Sequence, residues 1–464
     1  MTSPRGSYFI KTWGCQMNVQ DEQKMASLLE EEGYIPATSA GQADVILLNT
    51  CSVREKSAEK LFDFLGRLKH LKTTSPRTII GVTGCVAQQE GEAVIRRASH
   101  VDLVMGPRRI GRLPDLLTQA RARSATSRPG AVDTDLNDLS AIFWDGGRGV
   151  RSGAMAYLTI MEGCNMGCTF CIVPRTRGRE VHRPMAKIVE EARRRVNQGI
   201  LELELLGQTV NAYRDGRKAF HHLLEAVATI PGLKRLRFTS SHPAFFTANT
   251  ASVMAAHETI CPHLHLPVQS GSNAVLKAMR RGHHIVDYFR RIDDLRHRIP
   301  GVAISTDIIV GFPGETEQDF QATLDLLEQA RFSQIYAFKY SPRPGTTAAT
   351  TFADDVPDSL KKRRLARIFA LQEEISLEEN QQLVGRSLPV LLAGSSRKDA
   401  SVASGRTPCN RVVNVHGARL EEDMGRIIMT RITAAHRHSL SAEPAVSAVV
   451  QVPEGHLATP RAIL

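Results

Sequence analysis

Six of the eight cysteines in this 464-residue chain fall into two sets of three, and thiolates in threes can do chemistry. Cys164, Cys168 and Cys171 form a Cys-x3-Cys-x2-Cys loop, with Gly163 and Gly167 letting the backbone wrap closely round an object. Three thiolates on so short a loop converge. Tetrahedral zinc needs a fourth ligand, which no adjacent cysteine supplies, although a structural zinc loop is the competing reading. A [4Fe–4S] cube held by three thiolates leaves one iron open, where a substrate or cofactor can coordinate. Cys15, Cys51 and Cys85 lie 36 and 34 residues apart, and each directly follows a run that reads as a strand. In a parallel sheet the carboxyl ends of the strands share one edge, so three strands one βα unit apart bring three sulfurs together. A second three-thiolate cluster follows; for any one of these cysteines alone, a small buried hydrophobe is the alternative. Cys261 and Cys409 read as structural thiols.

The elements that must position these groups are legible as periodic runs. Tyr8–Trp13, Ala43–Asn49, Thr78–Thr83 and Val101–Met105 read as strands, alternating with helical runs at Gln20–Glu32, Val53–His70 and Gln88–Ala98. This pattern predicts a parallel sheet with helices on its faces. Six further strands are predicted at Tyr157–Met161, Leu203–Leu206, Arg235–Thr239, His263–Val268, Ser305–Val310 and Gln334–Tyr340. Helical stretches such as Met185–Asn197 lie between them, which predicts a closed or partly closed parallel barrel. Asp358–Leu383 reads as one long helix, and its basic run Lys361-Lys362-Arg363-Arg364 as a solvated face. Beyond Gly385, short β-branched runs separated by Gly, Ser and Asn predict a small all-β barrel.

The fold class is therefore α/β with an all-β appendage: an N-terminal parallel sheet domain over 1–122, a Ser/Arg/Gly/Asp-rich linker over 123–150, a partial (βα)6 barrel over 151–377, an all-β domain over 378–445 and a tail over 446–464. A content of 42% hydrophobic and 23% charged residues excludes a collagen or a disordered chain. Apolar runs such as Val45-Ile46-Leu47-Leu48 fall far short of the ~20 residues of a membrane span. The N-terminus carries no signal segment, so a cytoplasmic protein with no membrane partner is expected. Lys and Arg number 59 against 48 Asp and Glu, and the net charge of +11 points to a polyanionic partner, nucleic acid first.

The cysteine loop, with Phe170 before its last Cys, resembles that of the radical S-adenosylmethionine (SAM) enzymes. In that family the open iron chelates SAM, and one electron cleaves the sulfonium to release a 5′-deoxyadenosyl radical. With the N-terminal cysteines and the basic β-barrel, residues from about 8 to 440 resemble the methylthiotransferases, which end in a TRAM domain. The motifs Trp13-Gly14-Cys15-Gln16-Met17-Asn18, Asn49-Thr50-Cys51-Ser52-Val53-Arg54-Glu55-Lys56, Pro174-Arg175-Thr176-Arg177-Gly178-Arg179-Glu180-Val181, Leu206-Gly207-Gln208-Thr209-Val210-Asn211 and His265-Leu266-Pro267-Val268-Gln269-Ser270-Gly271-Ser272 resemble the MiaB-type tRNA branch. Trp13, often a smaller residue, and Cys409, in a loop that usually carries a polar residue, are small departures.

The resemblance implies conversion of N6-isopentenyladenosine beside the anticodon into its 2-methylthio derivative, with two [4Fe–4S] clusters and two molecules of SAM. Cys164, Cys168 and Cys171 would hold the catalytic SAM cluster, and Cys15, Cys51 and Cys85 the sulfur-donating one. SAM should lie across the carboxyl ends of the barrel strands, where Gly207, Gln208, Ser240, Ser241, Gln269, Asp307, Gly311 and Glu315 are the candidates. Arg175, Arg177, Arg179 and Arg183 beside the cluster, and Arg406 and Arg411 in the β-barrel, are candidates for RNA contact. His263 and His265 alternate along one strand and read as barrel lining ahead of a metal pair. The expected partners are a tRNA anticodon stem-loop and an electron donor such as a flavodoxin or ferredoxin, with the enzyme a monomer. Two other readings compete: a methylthiotransferase acting on a ribosomal-protein aspartate, and a non-catalytic zinc-stabilised RNA-binding protein.

Overall fold

The run Val45-Ile46-Leu47-Leu48 is wholly buried, as a parallel strand covered on both faces requires. The computed structural model of the chain describes residues 4–52, 55–124, 130–139, 142–143 and 153–445. The expected tail at 446–464 lies outside the described residues. The chain divides into two units: residues 1–150, 161–166 and 171–181, and residues 151–160, 167–170 and 182–464.

The first unit is built on a six-stranded sheet. Its strands are β1 (Gly6–Trp13), β2 (Tyr34–Pro36), β3 (Val45–Thr50), β4 (Ile79–Thr83), β5 (Leu103–Met105) and β6 (Ala131–Asp133). They lie in the order β2-β1-β3-β4-β5-β6, all parallel. Alternate residues of β3 serve opposite faces. Val45 and Leu47 pack with Leu29, Leu113 and Leu117, while Ile46 and Leu48 pack with Leu61, Leu65 and Val94. Each leucine buried this way contributes ~1.5–3 kcal/mol. The strand order reverses between β1 and β3, which opens a crevice at their carboxyl ends. Of the expected linker at 123–150, residues 125–129, 140–141 and 144–150 lie outside the described residues; in the rest, the Leu113–Ser124 helix runs two residues past 122 and β6 joins the sheet edge beside β5. The segment's polarity concealed a short strand whose Ala131 is buried in one core layer and whose Val132 packs against the other.

In the second unit all six predicted barrel strands are present and parallel. They form two ladders. Arg235–Phe238, Glu202–Leu206 and Met155–Thr159 make one, and His263–His265, Ala303–Val310 and Gln334–Lys339 make the other. A parallel bridge between Leu236 and Ile260 joins them. The long helix spans Asp358–Gln381. The reading of its basic run as a solvated face is corrected at two positions. Lys361 and Arg364 are buried, because they share a helix face with Ile368, Gln372 and Ile375. Lys361 is paired with Asp354, and Arg364 with Glu315 and Glu317. Residues Ser387–Pro444 close a five-stranded barrel around Val390, Leu392, Val413, Val415, Ile432 and Leu440. Two buried arginines of the Arg235–Phe238 strand hold this barrel by its backbone. Arg235 donates to the carbonyls of Pro389 and Arg406 at 2.9 Å, and Arg237 to those of Thr407 and Pro408 at 2.7 and 2.8 Å. No helix among the described residues is long and apolar enough to cross a membrane.

Candidate active site

Cys15, Cys51 and Cys85 follow β1, β3 and β4, three neighbours in the sheet, at the edge where the strand order reverses. A pair of buried asparagines ties these strand ends together. The Cys15 thiol donates to Asn18 Oδ1 at 3.3 Å, and Asn18 Nδ2 donates to Asn49 Oδ1 at 3.1 Å. Asn49 Nδ2 returns a 2.7 Å bond to the Asn18 carbonyl. Both turn glycines are required by this clasp. A Cβ on Gly14 would sit 2.4 Å from Asn18 Oδ1, and one on Gly84 would sit 2.5 Å from Asn49 Oδ1. Gly84 also has φ +85°, a region that side chains avoid. Gly84→Ala is expected to destabilise this unit by about 2–4 kcal/mol through strain and overpacking. Gly66→Ala, exposed in the Glu55–Leu68 helix with open space around it, should not destabilise and should gain up to about 1 kcal/mol. Urea unfolding of both variants checks this, and equal midpoints would show that the clasp yields.

A buried arginine faces the same cysteines. Arg177 Nη2 lies 2.5 Å from Asp21 Oδ2, and Nη1 lies 3.3 Å from Glu162 Oε1, with all three side chains 3% exposed or less. The hydrogen bond from Cys51 lowers the Cys15 thiol to about 6; burial opposes this and the Arg177 charge assists. Burial raises the Cys85 thiol, and the Arg177 charge with its hydrogen bond opposes that rise. The site thus favours thiolate at one cysteine and supplies a permanent cation to offset negative charge. Among the described residues, Ser52 Oγ, next to Cys51, and Thr83 Oγ1, near Cys85, are buried without a hydrogen-bond partner.

The second set lies on the loop after Met155–Thr159. Cys164 Sγ accepts a 3.4 Å bond from the Met166 amide, and the Cys164 amide donates to the Gly178 carbonyl. Cys168 Sγ accepts from Arg281 Nη1 at 3.4 Å, and Arg281 is held in turn through Nη2 on the Pro267 carbonyl. The Thr169 amide and hydroxyl bond the carbonyls of Met279 and Ala278, which fixes the middle of the loop. Among the described residues, several buried polar atoms here lack partners: Arg281 Nε, His242 Nε2 and His283 Nε2, with Ser241 Oγ beside His242 in the chain. Burial drives the His242 ring down to about 2 and His283 to about 4, so both are neutral at physiological pH. Ser240 and Gln269, at two strand ends, adopt φ +62° and +85°, each a strain of ~1–3 kcal/mol of the kind found at ligand sites. Among the described residues, no three His, Cys, Asp or Glu side chains are placed to hold a single metal ion. A four-iron cube spreads its ligands wider than one zinc does.

The structure redistributes several expected site residues. Arg177 and Arg183 are corrected as RNA contacts. Arg177 is sealed inside the first unit, and Arg183 is buried against Glu191. Arg175 and Arg179 are exposed, as is Arg406, whose guanidinium bonds Asn410. Arg411 is largely committed to Asn380 on the long helix. Glu315 and Gly311, expected as SAM contacts, are engaged within the fold. The Glu315 carboxylate takes the Gly311 amide at 2.6 Å and Arg364 at 2.7 Å, and the bare face of Gly311 is filled by the Lys361 stem. Gly207, Gln208, Ser240, Ser241 and Gln269 lie beyond the carboxyl ends of their strands, and Asp307 lies within Ala303–Val310. His263 Nε2 and His265 Nδ1 both meet Ser305 Oγ, at 3.1 and 3.0 Å, and His265 Nε2 lies 3.4 Å from Asp307. They line the barrel and share Ser305 as a partner. Asp21, Glu162, Asn18, Asn49 and Arg281 were not among the expected site residues. Asn18 and Asn49 stood in the motifs around Cys15 and Cys51, and a polar residue one helical turn past Cys15 was the physical signal for Asn18.

Residues 158–327 match the radical SAM superfamily, residues 381–445 the TRAM domain, and residues 7–106 a family described as uncharacterized protein family UPF0004. Together these define the class, a radical SAM enzyme with an N-terminal cysteine-bearing domain and a C-terminal TRAM domain. The chain is 43% identical over 437 residues to the tRNA-2-methylthio-N(6)-dimethylallyladenosine synthase of Syntrophotalea carbinolica, covering 93% of this chain and 98% of that one. It is 46% identical to the protein of the same name from an Acidovorax species, over 94% and 96% of the two chains. The chain belongs to the family of radical SAM methylthiotransferases to which these synthases belong. Its fold is similar to that of the radical SAM methyltransferase TsrM from Kitasatospora setae, with a TM-score of 0.54 and 15% identity over 75% of this chain and 77% of that one. Membership of the superfamily brings SAM and a [4Fe–4S] cluster as cofactors. The residues fit them: a three-cysteine loop with a cation on one sulfur, beside buried polar atoms that lack partners.

Proposed function

We propose that the chain transfers a methylthio group to C2 of N6-isopentenyladenosine beside the anticodon of tRNA, in the cytoplasm, using two [4Fe–4S] clusters and two molecules of SAM. The observation that carries this reading is the presence of two separate three-cysteine sets, each with an arginine on one of its sulfurs. Cys164, Cys168 and Cys171 would hold the SAM cluster, and Cys15, Cys51 and Cys85 the second cluster. When bound, these groups supply sulfur, a methyl group and the one-electron cleavage of SAM that removes the C2 hydrogen. Such a reagent suits the target, since C2–H is neither acidic nor attached to a leaving group and side-chain acids and bases cannot activate it.

The chain's own residues bind and orient. Arg177 and Arg281 offset negative charge at the two cysteine sets. The strained turns at Ser240 and Gln269, with Gly207, Gln208, Ser241 and Asp307, would receive the polar edges of SAM. Arg175, Arg179 and Arg406, being exposed, would meet RNA phosphates, and the TRAM domain favours RNA as partner. A flavodoxin or ferredoxin would supply the electron.

Anaerobic reconstitution should yield about eight irons per chain, with matching sulfide. Zinc without iron would overturn the reading. In a deletion strain, nucleoside mass spectrometry should show isopentenyladenosine accumulating without its 2-methylthio form. An unchanged nucleoside profile would exclude this substrate.

A further inference from the structure

On the outer wall of the barrel, the Met185–Asn197 helix and a hairpin of two short strands, Arg214–Asp215 and Lys218–Ala219, flank an open trough of about 810 Å³. Arg193, Arg194 and Lys218 line it, and Arg214 and Arg217 stand exposed on the hairpin. Among the described residues, none of these five side chains has a carboxylate within ion-pairing distance. The two acids of the trough are committed elsewhere. Glu190 pairs with Lys187 at 3.1 Å, and Asp215 Oδ2 accepts the Met185 amide at 2.8 Å. Unpaired cations beside engaged carboxylates make a surface that attracts polyanions.

The walls are fixed in place. The Arg214 amide donates to His182 Nδ1 at 3.1 Å, and Tyr213 Oη donates to the Arg183 carbonyl at 2.6 Å. The helix runs back along the barrel from the carboxyl edge of the strands, with its first turn at that edge. The hairpin follows the Glu202–Leu206 strand at the same edge. The trough therefore starts at the rim from which the cysteine loop leaves Met155–Thr159, and leads away from it down the barrel wall.

We infer that this trough holds the phosphate backbone of an RNA helix, the stem that closes the target loop. The inference rests on the tRNA reading above. A loop whose base reaches the cysteine edge must be followed by its stem, and a stem is a double row of phosphates. Arginine and lysine on a fixed wall meet phosphates without reading sequence, so this surface would set position and leave base choice to the catalytic edge.

The test is the salt dependence of tRNA binding by the reconstituted enzyme, followed by fluorescence anisotropy. Each phosphate contact adds about 0.9 to the slope of log affinity against log salt. The triple variant Arg193→Gln, Arg194→Gln, Lys218→Gln should have a slope shallower by about 2–3 and an affinity at least about tenfold weaker at 0.1 M salt. Its SAM cleavage without tRNA should equal that of the parent, since none of the three lies at the cysteines. Parallel salt plots for variant and parent would overturn the trough assignment and leave the tRNA reading intact. Failure of the parent itself to bind tRNA would overturn that reading instead. A loop oligonucleotide without a stem should bind both proteins equally. If the variant weakens its binding as much as that of tRNA, the trough does not hold the stem.

Discussion

Cys51→Ala enzyme is expected to keep cleaving SAM while its methylthio product falls about 100-fold or more, a loss at least as large as those seen when a metal site's supporting groups are removed. Cys51 sits in the first unit, at the reversal point of its sheet, and its amide is bonded to the Trp13 carbonyl whatever the side chain. Replacing a small buried thiol by a methyl group leaves that backbone bond and the strand in place. What is lost is one sulfur of three, together with the hydrogen bond that favours thiolate at Cys15. The Cys168→Ala enzyme should lose both activities, because its sulfur is on the other set, held by Arg281. Quantifying 5′-deoxyadenosine alongside the modified nucleoside separates the two outcomes. Full product from the Cys51→Ala enzyme would mean that the N-terminal cysteines have no part in the reaction.

Arg177→Met should damage the first unit more than any surface arginine could. The guanidinium holds Asp21 and Glu162 in a setting where all three side chains are 3% exposed or less, and removing it leaves two buried carboxylates facing each other. Breaking a buried pair in this way costs about 3–5 kcal/mol. Lysine should not rescue, because one ammonium cannot match two nitrogens directed at two carboxylates. Denaturant unfolding of the first unit is the measurement, with Arg175→Met as the exposed control. Equal destabilisation by the two variants would remove Arg177 from its place beneath the cysteines.

Cys164, Cys168 and Cys171 were legible from their spacing on one short loop, and Cys15, Cys51 and Cys85 from repetition: a βα unit has a set length, so cysteines one unit apart share an edge. All six barrel strands were legible from the same repetition, and the terminal β-barrel from short β-branched runs separated by Gly, Ser and Asn. Arg177 was not. Its neighbours Arg175 and Arg179 are exposed, and nothing in a run of alternating arginines tells which one meets Asp21, 156 positions away. Lys361 and Arg364 were misread for a related reason. A four-residue basic run looks uniform, yet a helix turns two of its members inward, where acids on other elements meet them. The Gly311 and Glu315 pair shows the converse: residues of the right type at the right strand end, already used by the fold.

The attachment of the terminal β-barrel has a bearing on how such enzymes diversify. Arg235 and Arg237 grip carbonyl oxygens at Pro389, Arg406, Thr407 and Pro408, and every residue type carries that oxygen. Mutations in the gripped loop can therefore accumulate without loosening the joint, provided the backbone path is kept. A descendant could exchange the side chains that meet its nucleic acid, and so acquire new targets, while inheriting the mounting unchanged.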